Sequence, residues 1–451
     1  MKKILAFIFL ISSFANAQNI VNATMSPTLK TDWVILYKIE GATQKFVQNS
    51  KIKIDTIFID GKKQAVGNFS FTLPENTEIG AYRVSYKLQD AGFVDFIFNK
   101  ENISFHFDPN NPNKSVVFSE SKENIVYKNY TDAVTEAQQE LNTIQVEFLK
   151  NPKSKLKSKY RSALKEVKKV QQKYQNLSNG MFVNSLIKAS EKNNPSEIIA
   201  YTNAYMSNTK NTFFDNINFA DKKLLNSPFL VDKITDYIFF MNQSDNKEMQ
   251  TKLYKESIYT VLSKIKELTF KKQVIEYLVG QFELSKNIEV IDYLLQKYRG
   301  LPYNIKNNSF LSEKISLFAT EVGRTAPDFS WREGNQPYRL SQLNGAENYI
   351  LVFWSTTCSH CLREIPNLHA YIKGNRNVKV IAFSLENDKY GWESYKTNLY
   401  GWHNVLGLNK WENKIARTYN IHSTPSYFIL DANKKIIAKP EGLKDVKLFF
   451  D

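Results

Sequence analysis

Cys358 and Cys361 are the only two thiols in a chain of 451 residues. They stand three positions apart in "FWSTTCSHCLREIP", directly behind an apolar run. A pair so close closes almost no loop, so as a structural disulfide it would constrain the unfolded chain only weakly. Redox chemistry and metal binding are the remaining uses. Tetrahedral zinc needs four ligands, and no second Cys-x-x-Cys exists; His360, His369, His403 and His422 follow no ligand spacing. The expectation is therefore a dithiol, with no metal and no cofactor beyond a Cys358–Cys361 disulfide.

Such a pair works only if the backbone positions it. Residues 349–355 have the length and apolarity of a strand, and "CLREIPNLHAYIKG" is helical in period up to Gly374. Cys358 then falls at a helix start, where first-turn N–H groups are unpaired and the helix dipole is positive. A thiolate is favoured there, with a pKa of ~3.5–7.5 against ~8.5 for a free thiol. Cys361 follows one turn on, deeper in the helix. The exposed sulfur attacks a partner's disulfide and the second resolves the mixed disulfide. His360, between them, either lends charge or a hydrogen bond to Cys358 or is a solvent-facing spacer. Glu364 either exchanges a proton with Cys361 from the same helix face or is an exposed helical glutamate.

The elements around this pair divide the chain three ways, and the length itself predicts two to three domains. Residues 18–120 alternate apolar and polar in short runs broken by turn residues, with Phe69 and Phe71 on one face and Tyr82, Val84, Tyr86 and Leu88 on another. They predict an antiparallel β-sandwich. Residues 121–320 change to helical period and predict an all-α region. Leu156, Tyr160, Leu164, Val167 and Tyr174 share one face there, as do Ile291, Leu294, Leu295 and Tyr298. Asn151-Pro152, Asn194-Pro195 and Ser227-Pro228 read as three capped helix starts. Residues 322–451 order as strand, helix, strand, helix and a hairpin near Ala432-Asn433, an α/β unit with a mixed sheet.

In this last region, "GRTAPDFSW", "YRLSQLNG", "YILVFWSTTCSHCLREIPNL" and "STPSYFILD" occur in an order that resembles the TlpA/ResA-type branch of thioredoxin-like thiol–disulfide oxidoreductases. The resemblance covers about the last 130 residues. It implies a thioredoxin-like fold, Cys358 as nucleophile, Cys361 as resolving cysteine, and Glu364 as the carboxylate that tunes them. It also implies that Pro366 kinks the active-site helix, that Pro425 is cis and presents Thr424 to an extended substrate, and that Trp354 packs beside the site. Trp354, His360, Thr424 and Pro425 are thereby the candidate substrate-binding residues. Two features depart from the family: Thr357 stands where a second tryptophan is common, and Ser359-His360 replaces a proline-containing dipeptide. The preceding regions are similar, diffusely, to the β-domain and helical linker attached to such proteins in Gram-negative envelopes.

The start of the chain sets the compartment. Lys2 and Lys3, the apolar run Ile4 to Ile11 and Ala15-Asn16-Ala17 form a secretory signal over residues 1–17, too short to span a bilayer. No other stretch reaches the ~20 apolar residues of a membrane helix. The expected location is the periplasm, with no stable membrane insertion after cleavage. The formal charge of +15 comes from lysines interleaved with helix-period apolar residues, which reads as a solvated basic surface and not as a nucleic-acid site. The family resemblance implies the expected partners: disulfide-containing envelope proteins, among them apocytochromes of cytochrome c maturation, and a membrane thiol electron donor. One reading keeps the dithiol but reverses its use: a disulfide oxidase or isomerase, which His360 favours. A peroxidase, suggested by "APDF", would use a lone peroxidatic cysteine in a different loop, and the Cys-x-x-Cys register after the strand argues against it. A third makes the protein a binding or scaffold module whose first 320 residues carry the main role.

Overall fold

The computed structural model describes residues 18–59, 62–87, 92–306 and 309–451. The expected signal segment 1–17, the expected turn at Asp60-Gly61 and Leu88 lie outside the described residues. The chain forms two compact units, 1–306 and 307–451.

The first unit opens with strands β1 (Asn19–Met25), β2 (Trp33–Glu40), β3 (Thr43–Lys51), β4 (Lys53–Ile59), β5 (Lys62–Leu73), β6 (Gly80–Ser85), β7 (Phe93–Phe98), β8 (Ile103–Phe107) and β9 (Val117–Glu120). They make two sheets, ordered β4-β5-β1-β8-β9 and β3-β2-β6-β7. The period-2 alternation read in the sequence buries Phe69, Phe71, Tyr82, Val84 and Tyr86 in one core shared by both sheets. One pairing corrects the antiparallel expectation: β1 runs parallel to β8, Val21 opposite Ile103 and Met25 opposite Phe107. These strands are far apart in the chain, so no tight turn dictates their sense.

Helices follow in the same unit. Lys122–Lys150 and Ser154–Leu177 pack through Leu141, Ile144 and Phe148 against Leu156, Tyr160, Leu164 and Val167. Of the three expected helix starts, only Ser227-Pro228 opens one, Pro228–Phe239, and Ser227 Oγ bonds back to the Leu224 carbonyl instead of capping. Asn151 ends the preceding helix, and the next starts at Ser154 with no side-chain cap. The Asn194 amide pairs reciprocally with Gln138 at 2.9 and 3.0 Å, so it is unavailable as a cap.

The second unit holds β10 (Ser330–Glu333), β11 (Gln336–Arg339), β12 (Asn348–Trp354), β13 (Val378–Glu386), β14 (His403–Leu408), β15 (Ser426–Asp431) and β16 (Ile436–Ala438). The helix Ser309–Ala319 also falls in this unit, although its period groups it with the helical stretch before it. The main sheet is ordered β14-β13-β12-β15-β16. β12 pairs parallel with β13 and antiparallel with β15, and β13 pairs parallel with β14, which gives a mixed, thioredoxin-like sheet. Tyr349 to Trp354 are all buried because β12 is central and covered on both faces. Tyr349, Leu351 and Phe353 enter one cluster. Ile350, Val352 and Trp354 enter the other, against Cys361, Ile365, Leu368 and Ile372 of the active-site helix Ser359–Ile372. Each such side chain contributes about 1.5–3 kcal/mol on burial, so the strand–helix junction that carries the cysteines is anchored from both sides. Among the described residues no helix is long and apolar enough to cross a membrane.

Candidate active site

β12 ends at Trp354, three residues form a loop, and Cys358 is the N-cap of the active-site helix. Its Sγ accepts the Cys361 N–H at 3.3 Å and donates to the Thr424 carbonyl oxygen at 3.3 Å. The sulfur thus occupies the place a serine or aspartate oxygen takes in other helices and uses a first-turn amide that would otherwise be unpaired. Partial burial opposes ionisation of Cys358. Hydrogen bonds from the Cys361 thiol and amide, from the Thr424 side chain and from the His360 amide outweigh it, and the net pKa lies below that of an ordinary thiol.

Cys361 is fully buried in the cluster under β12. Burial, with the hydrogen bond to Cys358 acting in the same direction, pushes its thiol up to about 12. Two thiols one turn apart are therefore unequal: one is half-buried and ready to ionise, the other is sealed and protonated. Pro366 sits inside the helix, so the Leu362 carbonyl has no amide to receive one turn later.

Opposite Cys358 stands the loop before β15. Phe353 pairs with Ser426, and this register brings Thr424 and Pro425 alongside the end of β12. The Thr424–Pro425 peptide is cis. Trp354 requires a correction. It has 0% exposure and packs against the Tyr395 ring at a tilt, centroids 5.3 Å apart, so it cannot touch a substrate and instead forms part of the wall behind Cys361.

His360 and Glu364 meet each other. His360 Nε2 lies 3.1 Å from Glu364 Oε1, and its Nδ1 lies 3.4 Å from Arg363 Nη2. The imidazole therefore points along the helix surface, and it is the His360 amide that serves Cys358. Glu364 is neither exposed nor hydrogen-bonded to Cys361. Its Oε2 accepts the Tyr427 hydroxyl at 2.7 Å and the Leu443 N–H at 3.2 Å. Tyr427 is buried in the same cluster as Cys361. Burial first, then Glu364, raise its phenol far above the usual value, so it stays a proton donor. Sequence reasoning passed over Tyr427 because a tyrosine in "SYFILD" reads as strand core; its place two residues after Pro425 was the available signal.

The loop itself hangs from a second carboxylate that the sequence did not single out. Glu386, at the end of β13 and 3% exposed, accepts the Thr356 N–H at 2.7 Å, the Thr356 hydroxyl at 3.0 Å, the Ser355 hydroxyl at 3.3 Å and the Ser384 hydroxyl. Donors clothe the carboxylate on each side, which is what burial of a charge demands. The remaining histidines do not gather here: His369 faces the Tyr400 carbonyl, His403 faces Glu333 and His422 faces Asn420.

Comparison with known proteins gives the same region. The redoxin family model matches residues 321–445. The thiol-disulfide oxidoreductase ResA of Geobacillus thermodenitrificans is 30% identical over 161 residues, 34% of this chain and 88% of that protein. Its counterpart from Geobacillus kaustophilus is 28% identical over 160 residues, again 34% and 88%. Among solved structures, a domain of a possible thiol-disulfide isomerase from Cytophaga hutchinsonii is 30% identical, covering 29% of this chain and 90% of that one with a TM-score of 0.26.

Proposed function

The chain belongs, through its C-terminal third, to the ResA family of thiol-disulfide oxidoreductases, and from that premise we propose that it is an exported dithiol that reduces disulfides of envelope proteins. One observation carries the assignment of roles: Cys358 caps a helix with its sulfur while Cys361 lies buried one turn behind it. The Cys358 thiolate attacks one sulfur of a substrate disulfide. The substrate S–S bond breaks, a Cys358–substrate disulfide forms, and the released substrate thiolate takes a proton. Cys361 then gives up its proton, attacks Cys358 and releases the second substrate thiolate, leaving a Cys358–Cys361 disulfide. Two electrons have passed to the substrate, and a membrane thiol donor restores the dithiol. No further cofactor takes part.

Glu364 serves as proton acceptor for this second step, acting through Tyr427, whose hydroxyl joins it to the cluster around Cys361. Thr424 presents its backbone to the incoming segment. Export is supported by the basic–apolar–Ala-x-Ala order at the start of the chain.

The reverse direction, disulfide oxidation or isomerisation, gains support from the lowered Cys358 pKa, since a stable thiolate makes a couple more oxidising. It loses the support of the His360 side chain, which serves Glu364. The reduction potential decides: a value near ~−270 mV favours reduction and one near ~−120 mV favours oxidation. Amino-terminal sequencing of the processed protein, together with partners trapped by Cys361→Ser, tests the location and the substrates.

A further inference from the structure

The Cys358 loop is tied on its outer side to a cation. Lys410 Nζ donates to Thr357 Oγ1 at 3.1 Å, and Thr357 immediately precedes Cys358. Thr357 Oγ1 lies 3.0 Å from Ser355 Oγ, and Ser355 Oγ donates to Glu386. A hydroxyl has one hydrogen. Since the Ser355 hydrogen goes to Glu386, the Thr357 hydroxyl must donate to Ser355. Every bond then points one way, from the Lys410 ammonium through two hydroxyls to the buried Glu386 carboxylate, and such aligned chains strengthen each bond in them.

The backbone holds Lys410 there at some cost. Asn409 has φ 70° and Lys410 φ 41°, two successive non-glycine residues in the left-handed region. Such outliers persist where surrounding contacts over-determine them. A Cβ at Gly391 would come within 3.0 Å of Thr356 Oγ1, so the backbone there also packs close against the loop. An ammonium carries three donors, and among the described residues one hydrogen bond is made by this group, to Thr357.

We propose that Lys410 is a specificity-determining residue of the thiol–disulfide exchange, selecting disulfides that carry a carboxylate beside the sulfur attacked by Cys358. The inference rests on Cys358 being the attacking thiol. A fixed positive charge at the mouth of a site raises the local concentration and the on-rate of anionic reactants and lowers those of cationic ones. Thr357 is the residue just before the nucleophile, and its hydroxyl is what anchors the lysine to this loop.

The test uses the reduced full-length protein in single turnovers with three aliphatic disulfides of similar size: dithiodipropionate (anionic), hydroxyethyl disulfide (neutral) and cystamine (cationic). The readout is the ratio of the anionic to the cationic rate. Lys410→Gln should lower that ratio about tenfold at low salt, Lys410→Glu should lower it further, and Lys410→Arg should restore most of it. Raising salt to about 1 M should shrink the wild-type ratio, because screening then acts within ~3 Å. A general loss of loop order would slow all three disulfides alike and leave the ratio in place. An unchanged ratio in Lys410→Gln overturns the proposal, and that variant decides should Lys410→Glu fail to fold. Retained exchange in Cys358→Ala would instead overturn the role given to Cys358, a separate failure.

Discussion

Tyr427 donates its hydroxyl to Glu364 Oε2 at 2.7 Å, and both residues stand in or against the cluster that buries Cys361. A half-buried carboxylate on the helix of Cys361 is thereby tied to a residue of that cluster. Without this tie, Glu364 would keep only the Leu443 N–H and the exposed His360 as partners.

Tyr427→Phe keeps the ring and deletes that tie. A hydrogen bond to a charged group is worth about 1.5–3 kcal/mol, so the urea midpoint of the reduced protein should fall. The resolving step should slow by about tenfold or more, within the range of a lost proton-transfer partner. The measurement is the mixed disulfide on Cys358 after mixing with a model disulfide protein, which should accumulate in the variant. If it fails to accumulate while the midpoint drops, Tyr427 is structural only.

The two thiols should titrate apart. Alkylation by iodoacetamide should label Cys358 first, with a midpoint below that of an ordinary thiol, and should reach Cys361 only as pH approaches about 12. Equal labelling of both thiols at pH 8 would contradict the site described above.

The same pair sets opposite pH slopes for the stability of the reduced protein. Cys358 has a lowered folded-state pKa, so its contribution is present above the unfolded value of ~8.5 and is lost as pH falls through the folded value. Cys361 has a raised one, so its contribution is present below ~8.5 and is lost as pH rises toward about 12. Stability of the wild type relative to Cys361→Ser should therefore decline between those two values, and stability relative to Cys358→Ser should decline toward acid. Urea midpoints across pH 5 to 11 check both signs.

The sequence exposes the strand–Cys-x-x-Cys–helix junction because periodicity and residue type agree there: six buried apolar residues of β12 run into a helix whose apolar stripe holds Cys361 and Ile365. The sandwich core is legible for the same reason, through alternation of Phe69 with Phe71 and Tyr82 with Val84. Contacts made across the fold are not. Glu386 is 28 residues beyond Cys358 and reaches the loop only because β13 pairs with β12 in register, Trp354 opposite Ser384. Tyr427 and Lys410 enter by the same kind of long-range closure. The failed helix starts are local errors of another kind, since Asn194 found a side-chain partner in Gln138 that no short-range rule contains.

Glu386→Gln tests how the loop is held. The amide keeps the volume but replaces an acceptor by an N–H donor in a pocket of donors, leaving at least one buried group unpaired at about 1–3 kcal/mol. The expected result is a lower melting temperature and a Cys358 alkylation midpoint shifted toward that of a free thiol, because the N-cap geometry depends on the loop behind it. Lower stability with an unshifted midpoint would separate Glu386 from the reactivity of the sulfur.

Gly407 in β14 supplies the last prediction, one of packing. A Cβ added there would lie 2.2 Å from the ring of Phe383 in β13, far inside contact distance. Phe383 cannot swing aside freely: its ring packs on Phe329 at 5.4 Å and on Phe353 at 5.1 Å, and Phe353 is the core residue of β12 just before Trp354. Gly407→Ala should therefore cost about 1–3 kcal/mol, the usual range for overpacking, and the strain should travel through Phe383 to β12. Calorimetry of the full-length protein should show the transition that includes residues 307–451 shift downward while the rest of the trace holds. Gly407→Ala with Phe383→Leu, which opens the space, should recover part of the loss; absence of any recovery would place the strain in the β14 backbone and not between the two side chains.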